Sequence, residues 1–243
     1  MEKGKKKALY YILLITAISF IIFYSYKFLN EKYEDKINQN NLEEVSSIKN
    51  RIKTNDNYAL KYEQYQKEYN NSDIIGNLKI ANTEINTLLV QTTDNKYYLK
   101  HLITKKYSVT GSVFVDYKTN IETGKQINIY GHNSTKYDIP FKYLVNYLNK
   151  DYFLNNKIIT LETKTGIREF EIFSVKVVTD DIEHIKTSFN TDTEWNNHFD
   201  LLRAGSLYDS NLVVDQNDQV LVLQTCLFNN SLGRYLIISA KKI

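Results

Sequence analysis

Residues 219–240 read QVLVLQTCLFNNSLGRYLIISA, and the fold follows from how this stretch is read. Val220-Leu221-Val222-Leu223 is a short unbroken apolar run, the pattern of a strand buried on both faces. Cys226 falls at its exit. Residues 227–233, Leu-Phe-Asn-Asn-Ser-Leu-Gly, read as a loop, and Arg234 opens a second apolar run, Tyr235-Leu236-Ile237-Ile238. If the two runs pair as a hairpin, Cys226 and Arg234 sit at neighbouring strand ends, roughly 5 Å apart across the ladder.

The same texture extends back to Asn71. Predicted strands are Ile74–Ile80, Ile85–Gln91, Ser112–Asp116, Gln126–Gly131, Lys157–Thr163, Ile167–Val178, Gln219–Thr225 and Arg234–Ala240. Eight strands at this density in about 170 residues predict a mainly β fold, a closed or nearly closed barrel. Two helices interrupt the series. Phe141, Leu144, Val145 and Leu148 recur at helical spacing within Pro140–Asn149. Trp195, Phe199, Leu202 and Leu207 do so within Thr193–Leu207, with Thr191 or Thr193 as N-cap. The second helix lies between the sixth and seventh strands.

The other end of the chain sets the compartment. Residues 1–7, MEKGKKK, are followed by 19 uncharged residues, Ala8 to Tyr26. As a helix these would span roughly 28 Å, close to the hydrocarbon thickness of a bilayer. Lysines before the span place residues 1–7 in the cytoplasm and all that follows outside. A cleaved signal peptide would need a small-residue site after the apolar core, and Phe23-Tyr24-Ser25-Tyr26-Lys27 has none. A buried core helix would not run at once into a long polar stretch. The expected organisation is a basic tail (1–7), a single-pass anchor (8–28), a helical stalk (29–70) and an extracellular barrel (71–243). Within the stalk, Leu42, Val45, Ile48 and Ile52 form one stripe and Tyr58, Tyr62, Tyr65 and Tyr69 another, both expected to make core contacts. Asn55-Asp56-Asn57 is the expected break and N-cap between two helices.

Composition narrows the chemistry. With one Cys in 243 residues, a disulfide framework and any multi-Cys metal site are excluded. The formal charge of +3 equals that of residues 1–7, so the body is neutral and offers nucleic acid no basic face. The four histidines, His101, His132, His184 and His198, have no metal-ligand spacing; neither a metal nor an organic cofactor is expected. GxSxG, Walker A and GxGxxG are absent.

A lone thiol in an extracellular chain is either inert and buried or kept for reactivity. Only His132 follows a strong strand, in the turn-like Gly131-His132-Asn133-Ser134, where a rigid scaffold presents functional residues. His184, among Asp180, Asp181 and Glu183, reads as part of a solvated loop, and His198 as lying on the polar side of its helix. Arg234 is one of four arginines against 27 lysines; its fixed fork of donors suits a carbonyl or an oxyanion.

Tyr130-Gly131-His132-Asn133, then Leu223-Gln224-Thr225-Cys226, then Arg234 at the head of the last strand, resemble the sortase signatures YGHN, LxTC and a following Arg. Ile75–Ile80, Val90-Gln91 with Asp94–Leu99, and Gly111–Asp116 are similar to class B members. The resemblance covers roughly residues 58–243. Gln224 stands where a small hydroxyl residue is frequent, and Leu227 where some class B members are acidic.

The resemblance implies an eight-stranded sortase barrel on the outer face of a Gram-positive membrane. It implies a cysteine transpeptidase that cuts a C-terminal sorting signal of surface proteins after Thr, then transfers the acyl group to an amine of peptidoglycan precursor or a pilin lysine. By carry-over Cys226 is the nucleophile, His132 the general acid/base and Arg234 the oxyanion or carbonyl ligand; Asn95, Leu99 and Thr225 would line the substrate groove. The alternatives are a membrane-tethered β-barrel binding module with an inert, buried Cys226, or a papain-type hydrolase. The latter is opposed by the order His then Cys, both on strands.

Overall fold

The computed structural model describes residues 2–52, 56–213, 215, 217–228 and 234–243. By compactness the chain divides between Glu43 and Glu44. Helix α1 (Glu2–Arg51) begins in the first unit. Its span near the N-terminus is long and apolar enough to cross a membrane, and its large side chains from Leu9 to Leu29 are exposed.

The second unit is built on eight strands: β1 (Ile74–Ile80), β2 (Asn86–Val90), β3 (Phe114–Val115), β4 (Gln126–Tyr130), β5 (Ile158–Thr163), β6 (Gly166–Val178), β7 (Val220–Cys226) and β8 (Tyr235–Lys242). They close in the order β1-β2-β3-β4-β7-β8-β6-β5, the expected barrel. Most neighbours are antiparallel; β2 with β3 and β4 with β7 are parallel. The strand ends differ from expectation by a residue or two, and β3 is shorter, two residues long. Of the predicted 227–233 loop only Leu227 and Phe228 are among the described residues.

Alternation along each strand sorts side chains into an interior and an outer face. Leu221 and Leu223 of β7 join Ile127 and Ile129 of β4 inside the barrel. Val220 and Val222 lie outside, beneath helix α4 (Asp192–Arg203), with Trp195, Phe199 and Leu202. Thr191 caps α4, its side chain accepting from the Glu194 amide. On another outer face, Val45, Ile48 and Ile52 pack with Tyr62, Tyr65 and Tyr69 of α2 (Tyr58–Glu68) against Ile74, Leu88 and Val90. These parts of both stalk stripes are core contacts, as expected. Asn57 is the N-cap of α2, while Asn55 of the predicted break lies outside the described residues.

Pro140–Leu148 is a 3₁₀ helix, followed by the short α3 (Lys150–Asn155). Its buried residues, Phe141, Leu144 and Tyr147, recur every third position, which suits three residues per turn.

Two histidine expectations are corrected. His184 is buried, not solvated, with Nε2 3.0 Å from the Lys176 ammonium. His198 lies on the buried side of α4, its Nε2 2.7 Å from Gln126 Oε1. Gln126 and Asn128 are polar residues on the outer face of β4, and donors and acceptors from the α4 layer complete them.

Candidate active site

Parallel pairing of β4 and β7 brings the two sequence motifs together. The register sets Tyr130 opposite Gln224 as the last β4–β7 pair, so the residues just beyond, Gly131-His132-Asn133 and Thr225-Cys226, lie at the same end of the barrel. Three hydrogen bonds fix the junction. The Gly131 amide donates to Gln224 O (3.2 Å) and Thr225 Oγ1 to Gly131 O (2.8 Å). Asn133 Nδ2 donates to Cys226 O (3.0 Å). Glycine is required at 131, because an added Cβ would stand 2.6 Å from the Phe141 ring.

From the other side, β8 pairs antiparallel with β7 and sets Tyr235 opposite Cys226. The Leu227 amide donates to Arg234 O at 2.7 Å, and the Arg234 amide to Val178 O at 2.8 Å. Arg234 is thus tied to β7 and to the end of β6 through its backbone. Its guanidinium lies 5.8 Å from the centre of the Tyr235 ring. The expected hairpin neighbourhood of Cys226 and Arg234 is present.

The His132 ring is held as well. Its Nε2 lies 2.8 Å from Leu99 O; a carbonyl only accepts, so Nε2 carries a proton and Nδ1 is left to exchange one. Leu99 ends a single 3₁₀ turn, Tyr97–Leu99, whose start is fixed by Asp94 Oδ1 accepting the Lys96 and Tyr97 amides. Gly111 permits this turn to close. Its φ is +57°, and a Cβ there would meet Tyr98 O at 2.3 Å.

Cys226 is a free, exposed cysteine, which removes the expectation of a sealed, inert sulfur. Desolvation by the surrounding strand ends pushes its thiol up from the usual range; Asp181 adds to the rise and Arg234 opposes it. The thiolate, the nucleophilic form, is therefore a minority species at neutral pH.

The remaining expected groove residues have other attachments. Asn95 donates to Asp116 Oδ2 (2.7 Å) and accepts from the Tyr117 amide (3.0 Å), fixing the segment that carries Leu99. Thr225 is buried with its hydroxyl committed to Gly131, a strut between β7 and β4. Leu99 acts on His132 through its carbonyl, while its side chain is partly exposed. Sequence reasoning missed Asp116. Buried at the core of this support, it accepts from both Asn95 and Tyr130 Oη (2.9 Å). Asp181 was missed too: it accepts from Gln224 Nε2, and only the fold brings the two together. No group of His, Cys, Asp and Glu among the described residues could hold a metal ion.

Comparison with known proteins agrees with this geometry. Residues 78–242 match the model of the sortase domain. Sortase B of Listeria monocytogenes is 33% identical over 217 residues, covering 88% of each chain. The crystal structure of Clostridium perfringens sortase B superposes with a TM-score of 0.69 at 32% identity, over 74% of this chain and 99% of that one. A Staphylococcus aureus sortase B–substrate complex, 24% identical, shares the fold with a TM-score of 0.69 over 86% of this chain and 94% of its own. A closed eight-stranded barrel that carries YGHN and LQTC at adjacent parallel strand ends, with a helix before the seventh strand, places the chain in the sortase family of transpeptidases, in its class B.

Proposed function

We propose that the chain is a membrane-anchored extracellular enzyme that cleaves a C-terminal sorting signal after Thr through a thioacyl intermediate on Cys226. It then passes the protein to an amine of peptidoglycan precursor or to a pilin lysine. The observation that carries this reading is the shared strand end. An exposed sulfur, an imidazole bonded through Nε2 to Leu99 O and a guanidinium-bearing residue are carried by neighbouring strand ends there, although 94 residues separate His132 from Cys226. The uncharged, exposed span of α1 behind a lysine-rich tail supports the anchor and the outward orientation of the barrel.

The chemistry follows from these roles. The Cys226 thiolate attacks the Thr carbonyl carbon, and the tetrahedral oxyanion takes charge-assisted hydrogen bonds from Arg234. As the carbon–nitrogen bond breaks, His132 Nδ1 protonates the departing amine and a thioester remains. Leu99 O, accepting from Nε2, fixes the orientation of the ring and leaves Nδ1 for the proton transfer. The incoming amine then gives its proton to His132 and displaces the sulfur. Bound amine outcompetes water because its effective concentration at the thioester far exceeds its concentration in solution.

The test is mass spectrometry of the acyl-enzyme trapped from a library of Thr-containing sorting peptides, with and without an amine acceptor. A thioester on Cys226 that an amine resolves into an amide product supports the reading. Hydrolysis that no amine diverts would make the chain a plain thiol protease.

A further inference from the structure

We propose that Asp116 is the positioning residue for His132: one of its carboxylate oxygens joins the strand that carries the histidine to the turn whose carbonyl holds the imidazole. The inference rests on the transpeptidase reading above and deepens it, by naming what fixes the proton-transfer group.

His132 is held from two directions. Its backbone continues β4, two residues past Tyr130, and its ring is bonded through Nε2 to Leu99 O at 2.8 Å. Leu99 and His132 are 33 residues apart, so their separation in space must be set by a contact between the turn and β4. Asp116 Oδ2 makes that contact. On the β4 side it accepts from Tyr130 Oη at 2.9 Å, and on the turn side from Asn95 Nδ2 at 2.7 Å. Burial and the Asp116 charge push the Tyr130 phenol well above its usual range, so it stays a donor. Asp94, next to Asn95, accepts the Lys96 and Tyr97 amides that start the turn ending at Leu99. The path is continuous: Asp116, Asn95, the turn, Leu99 O, His132 Nε2.

Asp116 is itself fixed. It is 5% exposed, its amide donates to Asn128 O of β4 at 2.9 Å, and its carbonyl accepts from Gln91 Nε2 at 2.7 Å. Its second carboxylate oxygen, Oδ1, accepts the Lys118 amide at 2.8 Å. Three donors thus converge on two oxygens, and an ionised carboxylate is the group that offers two acceptors and no donor. An amide at 116 would turn its NH2 toward the Lys118 amide in one orientation, and toward Tyr130 and Asn95 in the other. Asn95 has no compensating flip, because its own Oδ1 accepts the Tyr117 amide.

The consequence reaches the chemistry. A proton-transfer group displaced by about 1 Å can lose about a hundredfold in rate. An imidazole released from Leu99 O also loses the bond that puts its proton on Nε2, so both tautomers become populated.

The test reads the tautomer and the acylation rate of the full-length protein in detergent. Long-range nitrogen–proton NMR of histidine-labelled protein at about pH 8.5, where imidazoles are neutral, should show native His132 protonated at Nε2. Asp116→Asn and Asn95→Ala should each give mixed tautomers and slow single-turnover acylation about tenfold to a hundredfold. Combined, they should cost little more than the larger single loss, because they break one path. His198→Ala is the control: it should lower Tm and leave the His132 tautomer native. A folded Asp116→Asn protein with native tautomer or native acylation rate overturns the proposal, as do fully additive losses in the double variant. Were Asp116→Asn to fail to fold, the same two readings on Asn95→Ala decide. Were the native protein to form no thioester, the transpeptidase reading would fail by itself, and the tautomer would still report on Asp116.

Discussion

His132 and His198 both bond to β4 or its surroundings, yet one stands at an open strand end and the other under a helix. His132 is hydrogen-bonded through Nε2 to Leu99 O, and among the described residues no hydrogen bond engages its second nitrogen. His198 is 6% exposed, spends Nε2 on Gln126 Oε1 and is wedged between Phe189 and Trp195. Burial lowers the pKa of His198 to about 4, with further lowering from His184 and Lys186. Nearby, His184 is lowered by burial and by Lys176. A histidine able to work in proton transfer needs one fixed nitrogen and one free one; the buried pair is fixed as neutral hydrogen-bonding struts. The contrast separates the residues that should control rate from those that should control stability.

The sharpest way to break this division is at the strand end. Cys226→Ala should abolish the acyl-enzyme seen by mass spectrometry, and His132→Ala should lower kcat/KM by about a thousandfold or more. Neither should move Tm by more than a degree or two. A His132→Ala protein with native rates would put the proton transfer elsewhere. Arg234→Lys should cost about a hundredfold in kcat, because a compact ammonium replaces a planar fork at the oxyanion. Single-turnover acylation measures that loss directly.

Under the helix the pattern should reverse. His198→Ala leaves Gln126 Oε1 without its donor and opens a cavity beside Trp195, at a cost of about 2–3 kcal/mol. Tm should fall by several degrees while kcat changes little. The pH dependence has the same sign. A histidine whose folded pKa lies below its unfolded value of about 6.5 binds its proton more readily in the unfolded chain. Its stabilisation is therefore complete above pH 6.5 and is lost as pH falls toward 4. Denaturant titrations between pH 7 and 4 should show this loss, reduced in His198→Ala. The smallest effect concerns the nucleophile. With the Cys226 thiol raised by desolvation, alkylation and acylation should go on accelerating with pH beyond the range in which a free cysteine levels off.

The sequence carried some of this better than the rest. The motif residues were legible because each sits at the end of an unmistakable strand: Ile127–Tyr130 before His132, and Val220–Leu223 before Cys226. The tyrosine stripe at 62, 65 and 69 was legible because helical spacing and burial agree. His184 and His198 were misread because their neighbours in sequence, carboxylates and polar residues, suggest water. Their neighbours in space lie on strands: Lys176 on β6, eight residues before His184, and Gln126 on β4, 72 residues before His198. The 3₁₀ geometry of Pro140–Leu148 was hidden for a related reason. Apolar spacing alone leaves three and three-and-a-half residues per turn hard to tell apart over nine residues.

By itself, then, the sequence determined the strand inventory, the apolar N-terminal span, the single thiol and the family that the chain belongs to. These depend on local pattern, on composition and on motifs that survive in linear order. Only the tertiary structure decided that β4 and β7 lie side by side and parallel, that Leu99 holds the histidine, and that Asp181 reaches Gln224. Each of these joins residues dozens apart through a hydrogen bond or strand register, and no local preference in either segment specifies its partner.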